Sequence, residues 1–189
     1  MEKTLVFIDC GFLSKVSKHF GGGTPLRYDL LKFSKNITGK EDLVFKHLFF
    51  YTAPPFQSSK PNKNEKVRKQ KYDSFIKKLS IEDCITIRSG RCQRVKKDGK
   101  YVYKQKGVDT LLTMDLMQIP IKHNKIKTII LIASDSDFVP VIKELENMGI
   151  KTILYTYFDR KRGSMFSTSN QLLKSVSKFV QIKGKDFKN

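Results

Sequence analysis

Several short aliphatic runs in this chain contain no polar residue at all, Leu5-Val6-Phe7-Ile8 and Ile129-Ile130-Leu131-Ile132 being the clearest. A strand with one wet face alternates apolar and polar residues. A run without that alternation must bury both faces, as strands do in a parallel sheet covered by helices. Such strands are expected at Thr4–Ile8, Leu43–Tyr51, Cys84–Arg88, Thr128–Ile132 and Lys151–Tyr157, with a short edge strand at Phe179–Ile182. Helical spacing recurs between them, at Phe12–His19, Arg27–Asn36, Glu65–Leu79, Gly107–Gln118, Phe138–Asn147 and Thr168–Ser177. The polar stretch Phe56–Asn64 reads as a loop. The expected fold class is therefore α/β, with a mainly parallel central sheet of about five strands flanked by helices. Arg91–Lys104 departs from the pattern, since two basic, β-favouring arms surround Asp98-Gly99 and read as a hairpin. With no repeat and no shift in composition, residues 1–189 are expected to form one domain carrying this hairpin as an insertion around 88–106.

Charge narrows the function. The chain carries 37 Lys and Arg against 18 Asp and Glu, a formal net charge of +19 over 189 residues. Such an excess suits a polyanion, with nucleic acid first and an anionic membrane surface second; a merely solvated basic surface is the plain alternative. No apolar run approaches the ~20 residues of a membrane-spanning helix. Met1-Glu2-Lys3 runs straight into a strand without the layout of a signal peptide. Cys10, Cys84 and Cys92 are odd in number and lack C-x-x-C spacing, which suggests neither a disulfide framework nor zinc. A reduced, cytoplasmic protein is the expectation.

The acids are fewer but placed tellingly. Asp9 directly follows the first strand, and Asp135 and Asp137 follow the Thr128–Ile132 strand. In open α/β sheets, ligands bind beyond the carboxyl ends of the strands. Asp109 falls in the first turn of an expected helix, where a carboxylate either caps free N–H groups or faces a ligand. Asp137 has the same choice before Phe138 and Val139. Should Asp9, Asp109, Asp135 and Asp137 converge, they offer oxygen ligands only, a set suited to Mg²⁺ or Mn²⁺. An acidic cluster inside a strongly basic protein makes sense if lysines and arginines hold a phosphate backbone while the acids hold metal at the phosphodiester. The metal then polarises the phosphoryl group and activates a water. His19, His47 and His123 sit outside these motifs and read as core or surface residues.

Lys106-Gly107-Val108-Asp109 and Ala133-Ser134-Asp135-Ser136-Asp137-Phe138-Val139-Pro140 resemble the NYN domain, a branch of the PIN-like metal-dependent ribonucleases. The order of pieces is similar along nearly the whole chain. A first strand ends in Asp9, K-G-V-D opens a helix containing Asp115, a strand leads to D-S-D-F-x-P, and Ser169-Asn170-Gln171-Leu172 precedes Phe179. The resemblance implies a Rossmann-like PIN fold and hydrolysis of RNA to 5′-phosphate and 3′-hydroxyl ends. It also implies a Mg²⁺ or Mn²⁺ site at Asp9, Asp109, Asp135 and Asp137, with Ser134 and Ser136 beside it. Asp115 matches a recurrent family position, yet lies six residues beyond Asp109, about 120° around the helix, which points to a supporting role. The chain departs from the family at Phe12, where many relatives carry asparagine, at Ser134 in place of glycine, and at Ser177 in place of an acid.

Lys60–Lys106 holds 16 Lys and Arg against five acids, so more than half of the excess charge lies in a quarter of the chain. Arg88, Arg91, Arg94, Lys96, Lys97 and Lys104 interleave with Tyr101 and Tyr103. Cations that pair with phosphates and rings that stack on bases suit single-stranded RNA; a solvated hairpin is the plain alternative. Arg160, Lys161 and Arg162 form a second candidate phosphate contact. Lys106, beside Asp109, either touches the scissile phosphate or pairs with an acid. A glycosyltransferase would explain Asp-x-Asp but neither Asp9 nor K-G-V-D. The remaining alternative is an RNA-binding module of the same fold that does not cut.

Overall fold

The computed structural model describes residues 1–159, 164 and 166–188. Six strands form one sheet: β1 (Lys3–Asp9), β2 (Val44–Thr52), β3 (Ile85–Ser89), β6 (Thr128–Ile132), β7 (Lys151–Thr156) and β8 (Lys178–Gln181). Their spatial order is β3-β2-β1-β6-β7-β8, and every neighbouring pair is parallel. The edge strand β8 makes the sheet one strand larger than the five buried runs. The expected hairpin forms a separate antiparallel pair, β4 (Arg91–Lys97) and β5 (Lys100–Lys106), turning at Asp98 and Gly99, both with positive φ.

Helices cover both faces of the sheet. Leu5 and Phe7 of β1 pack with Leu112 and Leu116 of α4 (Val108–Met117) and with Ile142 and Leu145 of α6 (Val139–Asn147). Val6 and Ile8 face the other way, toward Leu13 and Val16 of α1 (Cys10–Phe20) and Phe33 and Ile37 of α2 (Leu30–Gly39). That split between alternate residues of one strand explains why the run carries no polar position. Longer α3 (Lys63–Leu79) leans on the edge near β3, with Phe75 set edge-on to Phe50. The short α5 (Ile119–Lys122) and α7 (Asn170–Ser175) complete the layer around α4 and α6.

Helix starts move from their expected places because side chains cap them. Asp9 accepts a hydrogen bond from Gly11 N at 2.8 Å, so α1 begins at Cys10, two residues early. Asp29 likewise starts α2 at Leu30, and Asn62 with Glu65 closes a capping box at the start of α3. Ser169 caps α7, which stops at Ser175 because Val176 is already extended. Among the described residues no helix is long and apolar enough to cross a membrane.

The chain builds β2 and β3 on one side of β1, then returns to build β6, β7 and β8 on the other. The order therefore reverses between β1 and β6, the place where open α/β sheets leave a crevice. Ile8 pairs with Ile132, so Asp9 and the Ser134-Asp135 turn emerge at the same edge of the sheet.

Candidate active site

A cleft of about 1140 Å³ opens at that edge. Asp9, Asp109 and Asp135 line it, with Ser134 and Ser136 between them. Asp137 stands just beyond Ser136 and is not among the lining residues, although its charge still reaches Asp109. The structure thus gathers three of the four sequence-selected aspartates around one space and sets the fourth at its rim.

Two of the carboxyls, Asp9 and Asp109, carry a trace of their neighbours. Burial pushes the Asp9 carboxyl above its ordinary value, and the charge of Asp109 adds to the rise; backbone N–H groups of Phe12 and Gly11 oppose it. Asp109 is also raised, first by burial and then by the charges of Asp135 and Asp137. The Asp109 side chain makes no hydrogen bond or ion pair among the described residues, and the N-cap of α4 is Gly107, which has no side chain to offer. The capping alternative for Asp109 thus finds no bond to support it. At the other turn Asp135, not Asp137, does the capping: its Oδ1 accepts from Asp137 N at 2.9 Å and starts the short 3-10 turn Ser136–Phe138.

The donor set is oxygen throughout, and none of the four aspartates forms an ion pair among the described residues. Uncompensated carboxylates crowded at one edge fit a hard divalent cation by their chemistry. Among the described residues, however, no three His, Cys, Asp or Glu side chains stand close enough together to form a ready-made metal site.

The hairpin closes one wall. Cys92, Tyr103 and Gln105 line the cleft, and a Cβ built on Gly11 would meet Asp9 Oδ1 and Gln105 Oε1, each at 3.1 Å. Cross-strand register divides its side chains between two faces. The inner face carries Cys92, Arg94 and Lys96 opposite Gln105, Tyr103 and Tyr101. The outer face carries Arg91, Gln93 and Lys97 opposite Lys106, Lys104 and Lys100, so Lys106 points with the outer set and forms no ion pair with an acid among the described residues. Gly90 anchors the hairpin root. Its N–H donates to Thr52 O at 2.9 Å, and a Cβ there would lie 2.4 Å from Lys106 O and 2.8 Å from Val108 Cγ2.

Arg88 has a different task from the phosphate contact expected of it. Its Nε and Nη2 donate to Asp115 Oδ2 and Oδ1 at 2.8 and 2.5 Å, while Tyr51 Oη donates to Oδ2 at 2.9 Å. Burial alone would raise the Asp115 carboxyl, but these three donors and the Arg88 charge hold it below its usual value. The network ties α4, whose first turn carries Asp109, to the ends of β2 and β3. Asp115 is buried within it and is not among the residues that line the cleft. Arg160, Lys161 and Arg162 lie outside the described residues.

Residues distant in sequence complete the walls: Lys15 and Lys18 from α1, Arg68 and Tyr72 from α3. Lys15 and Lys18 are three apart on the helix that follows Asp9, away from buried Phe12, Leu13 and Val16, a signal that was available. Arg68 and Tyr72 had none, because only packing against the sheet edge brings α3 to the cleft. Phe12 is 5% exposed and belongs to the core, and Ser177 Oγ donates to Glu146 Oε2 at 3.1 Å.

Comparison with known proteins bears on the fold and the family. A crystal structure of a Vibrio parahaemolyticus protein of unknown function superposes with a TM-score of 0.58 at 16% identity, covering 98% of this chain and 95% of that one. At that identity the likeness speaks for the fold alone. No curated protein is similar enough to count as a match. The family model described as the NYN domain matches residues 3–183, nearly the whole chain. The chain belongs to the NYN domain family, a PIN-like nuclease family.

Proposed function

We propose that this protein is a divalent-metal-dependent ribonuclease that hydrolyses phosphodiester bonds of RNA. The observation that carries the reading is the meeting of Asp9, Asp109 and Asp135, unpaired with any cation among the described residues, in one cleft of a chain with net charge +19. Asp9, Asp109 and Asp135, with Asp137 at the rim, would hold Mg²⁺ or Mn²⁺. The bound ion supplies Lewis-acid polarisation of the phosphoryl group and a water acidified enough to attack. The chain's own part is to bind and orient. Lys15, Lys18 and Arg68 neutralise backbone phosphates on the cleft walls, the inner face of the hairpin receives bases, and its outer cations hold flanking phosphate.

Labelled single-stranded RNA incubated with Mn²⁺ tests this. The wild type is expected to cut, and Asp135→Asn is expected to bind RNA with the same salt sensitivity and not cut. Equal cutting by the variant overturns the assignment. A second reading, an RNA-binding module that does not cut, draws on the carboxylates standing apart and on Phe12 facing the core. Binding by the wild type with no metal-dependent cleavage would select it.

A further inference from the structure

Arg94 lies on the inner face of the hairpin, opposite Tyr103 in register and next to the Lys96–Tyr101 pair. Its guanidinium carbon sits over the Phe56 ring, 4.7 Å from the centroid, and over the Tyr101 ring, 4.4 Å from the centroid. Phe56 comes from another segment, the loop after Pro54-Pro55, and also approaches Tyr103 at 5.6 Å between centroids. Two segments far apart in sequence thus hold one planar cation against two rings. Stacking against two rings limits the orientation of the guanidinium and leaves its forked N–H donors for a further partner. Those donors make no hydrogen bond or ion pair among the described residues, and Arg94 is exposed.

What can approach that edge must present two acceptors in the guanidinium plane. The O6 and N7 atoms of guanine do so, and so do two oxygens of a phosphate. Adenine offers N7 beside an N6 donor, which meets the fork with the wrong sign. The rings favour the flat partner. A base coplanar with the guanidinium continues a layer that aromatic side chains already flank, whereas a hydrated phosphate gains nothing from them. Phosphate is also better served by the outer face, where Arg91, Lys97, Lys100, Lys104 and Lys106 stand without rings.

We propose that Arg94, held by Phe56 and Tyr101, reads a guanine base of a single-stranded RNA through its O6 and N7 edge. The proposal rests on the RNA-binding reading above and adds base selectivity to it. Tyr103 of the same hairpin face lines the cleft with Asp9, Asp109 and Asp135, so the guanine read at Arg94 sets which stretch of the strand is presented to the acids.

The test is fluorescence anisotropy without divalent metal, using three labelled oligomers. One is all adenosine, one carries a single central guanosine, and one carries 7-deazaguanosine at that place, which lacks N7. The guanosine oligomer is expected to bind wild type at least about fivefold tighter than the all-adenosine one, the lower bound for a bidentate pair. The 7-deaza oligomer should lose most of that advantage, a result that needs no protein variant. Arg94→Lys keeps the charge but loses the fork, and should bind the guanosine and adenosine oligomers with equal affinity. Equal affinity of wild type for all three oligomers overturns the proposal. So does an Arg94→Lys variant that keeps the wild-type preference for the guanosine oligomer. If none of the oligomers binds, the RNA-binding reading falls and this one with it.

Discussion

Replacing Arg88 with methionine isolates the contact that fixes α4 to the sheet. Methionine keeps most of the aliphatic volume and removes the guanidinium, leaving the Asp115 carboxylate with Tyr51 as its only remaining donor of the three. The Asp115 side chain is 5% exposed and that of Arg88 38%. Breaking a buried pair by removing one partner costs about 3–5 kcal/mol, and the partial exposure of Arg88 places the expected loss near 3 kcal/mol. The pH dependence gives a second signature. In the wild type the Asp115 carboxyl is held below its ordinary value, so its contribution is present above the unfolded-state value of about 3.9 and is lost as pH falls through the folded-state one. In the variant burial is opposed only by the Tyr51 hydrogen bond and the Lys122 charge, so the carboxyl rises from its wild-type value and that contribution shrinks. Urea unfolding at neutral pH and at several values below about 4 should therefore show a large gap that closes on acidification. A loss under about 1 kcal/mol, or a gap that does not change with pH, would refute the assignment of this network as the pin for α4.

Two further outcomes follow from the site. Asp9 and Asp109 titrate above their ordinary value, so their protonated forms suit the fold: that stability is present below about pH 3.9 and lost as pH rises through the folded-state values. Asp109→Asn should accordingly raise the melting temperature in EDTA at neutral pH, while Mn²⁺ should stabilise the wild type by about 2.7 kcal/mol at 100 times its dissociation constant and the variant far less; scanning fluorimetry checks both, and equal shifts would count against a metal at these acids. Gly90→Ala should cost about 1–3 kcal/mol because its Cβ would meet Lys106 O at 2.4 Å, whereas Gly39→Ala, with open space around it, should be neutral or stabilising; equal effects in urea unfolding would discount the clamp at the hairpin root.

The parts of the fold legible beforehand are those set by local rules. Leu5 to Ile8 and Ile129 to Ile132 had to be covered on both sides, and the Asp98-Gly99 turn had to reverse the basic arms. Helix boundaries were less legible because Asp9 has two oxygens and the chain offers Gly11 N at once, a capping bond that competes with reading Asp9 only as a ligand. At Arg88 the local context, a cation in a basic segment, suggested phosphate; the partner that claims it lies 27 residues away in a helix.

Amino-acid order by itself determined the layered α/β architecture, the hairpin and the positions of the acids at strand ends, because strand burial, turn formation and charge balance are properties of short segments. Folding alone decided which acids face one another, that Asp115 serves Arg88 and Tyr51, that α3 lends Arg68 and Tyr72 to the cleft, and that Phe56 meets Arg94. Those pairings depend on how elements distant along the chain dock, and docking is governed by the shape of both cores at once.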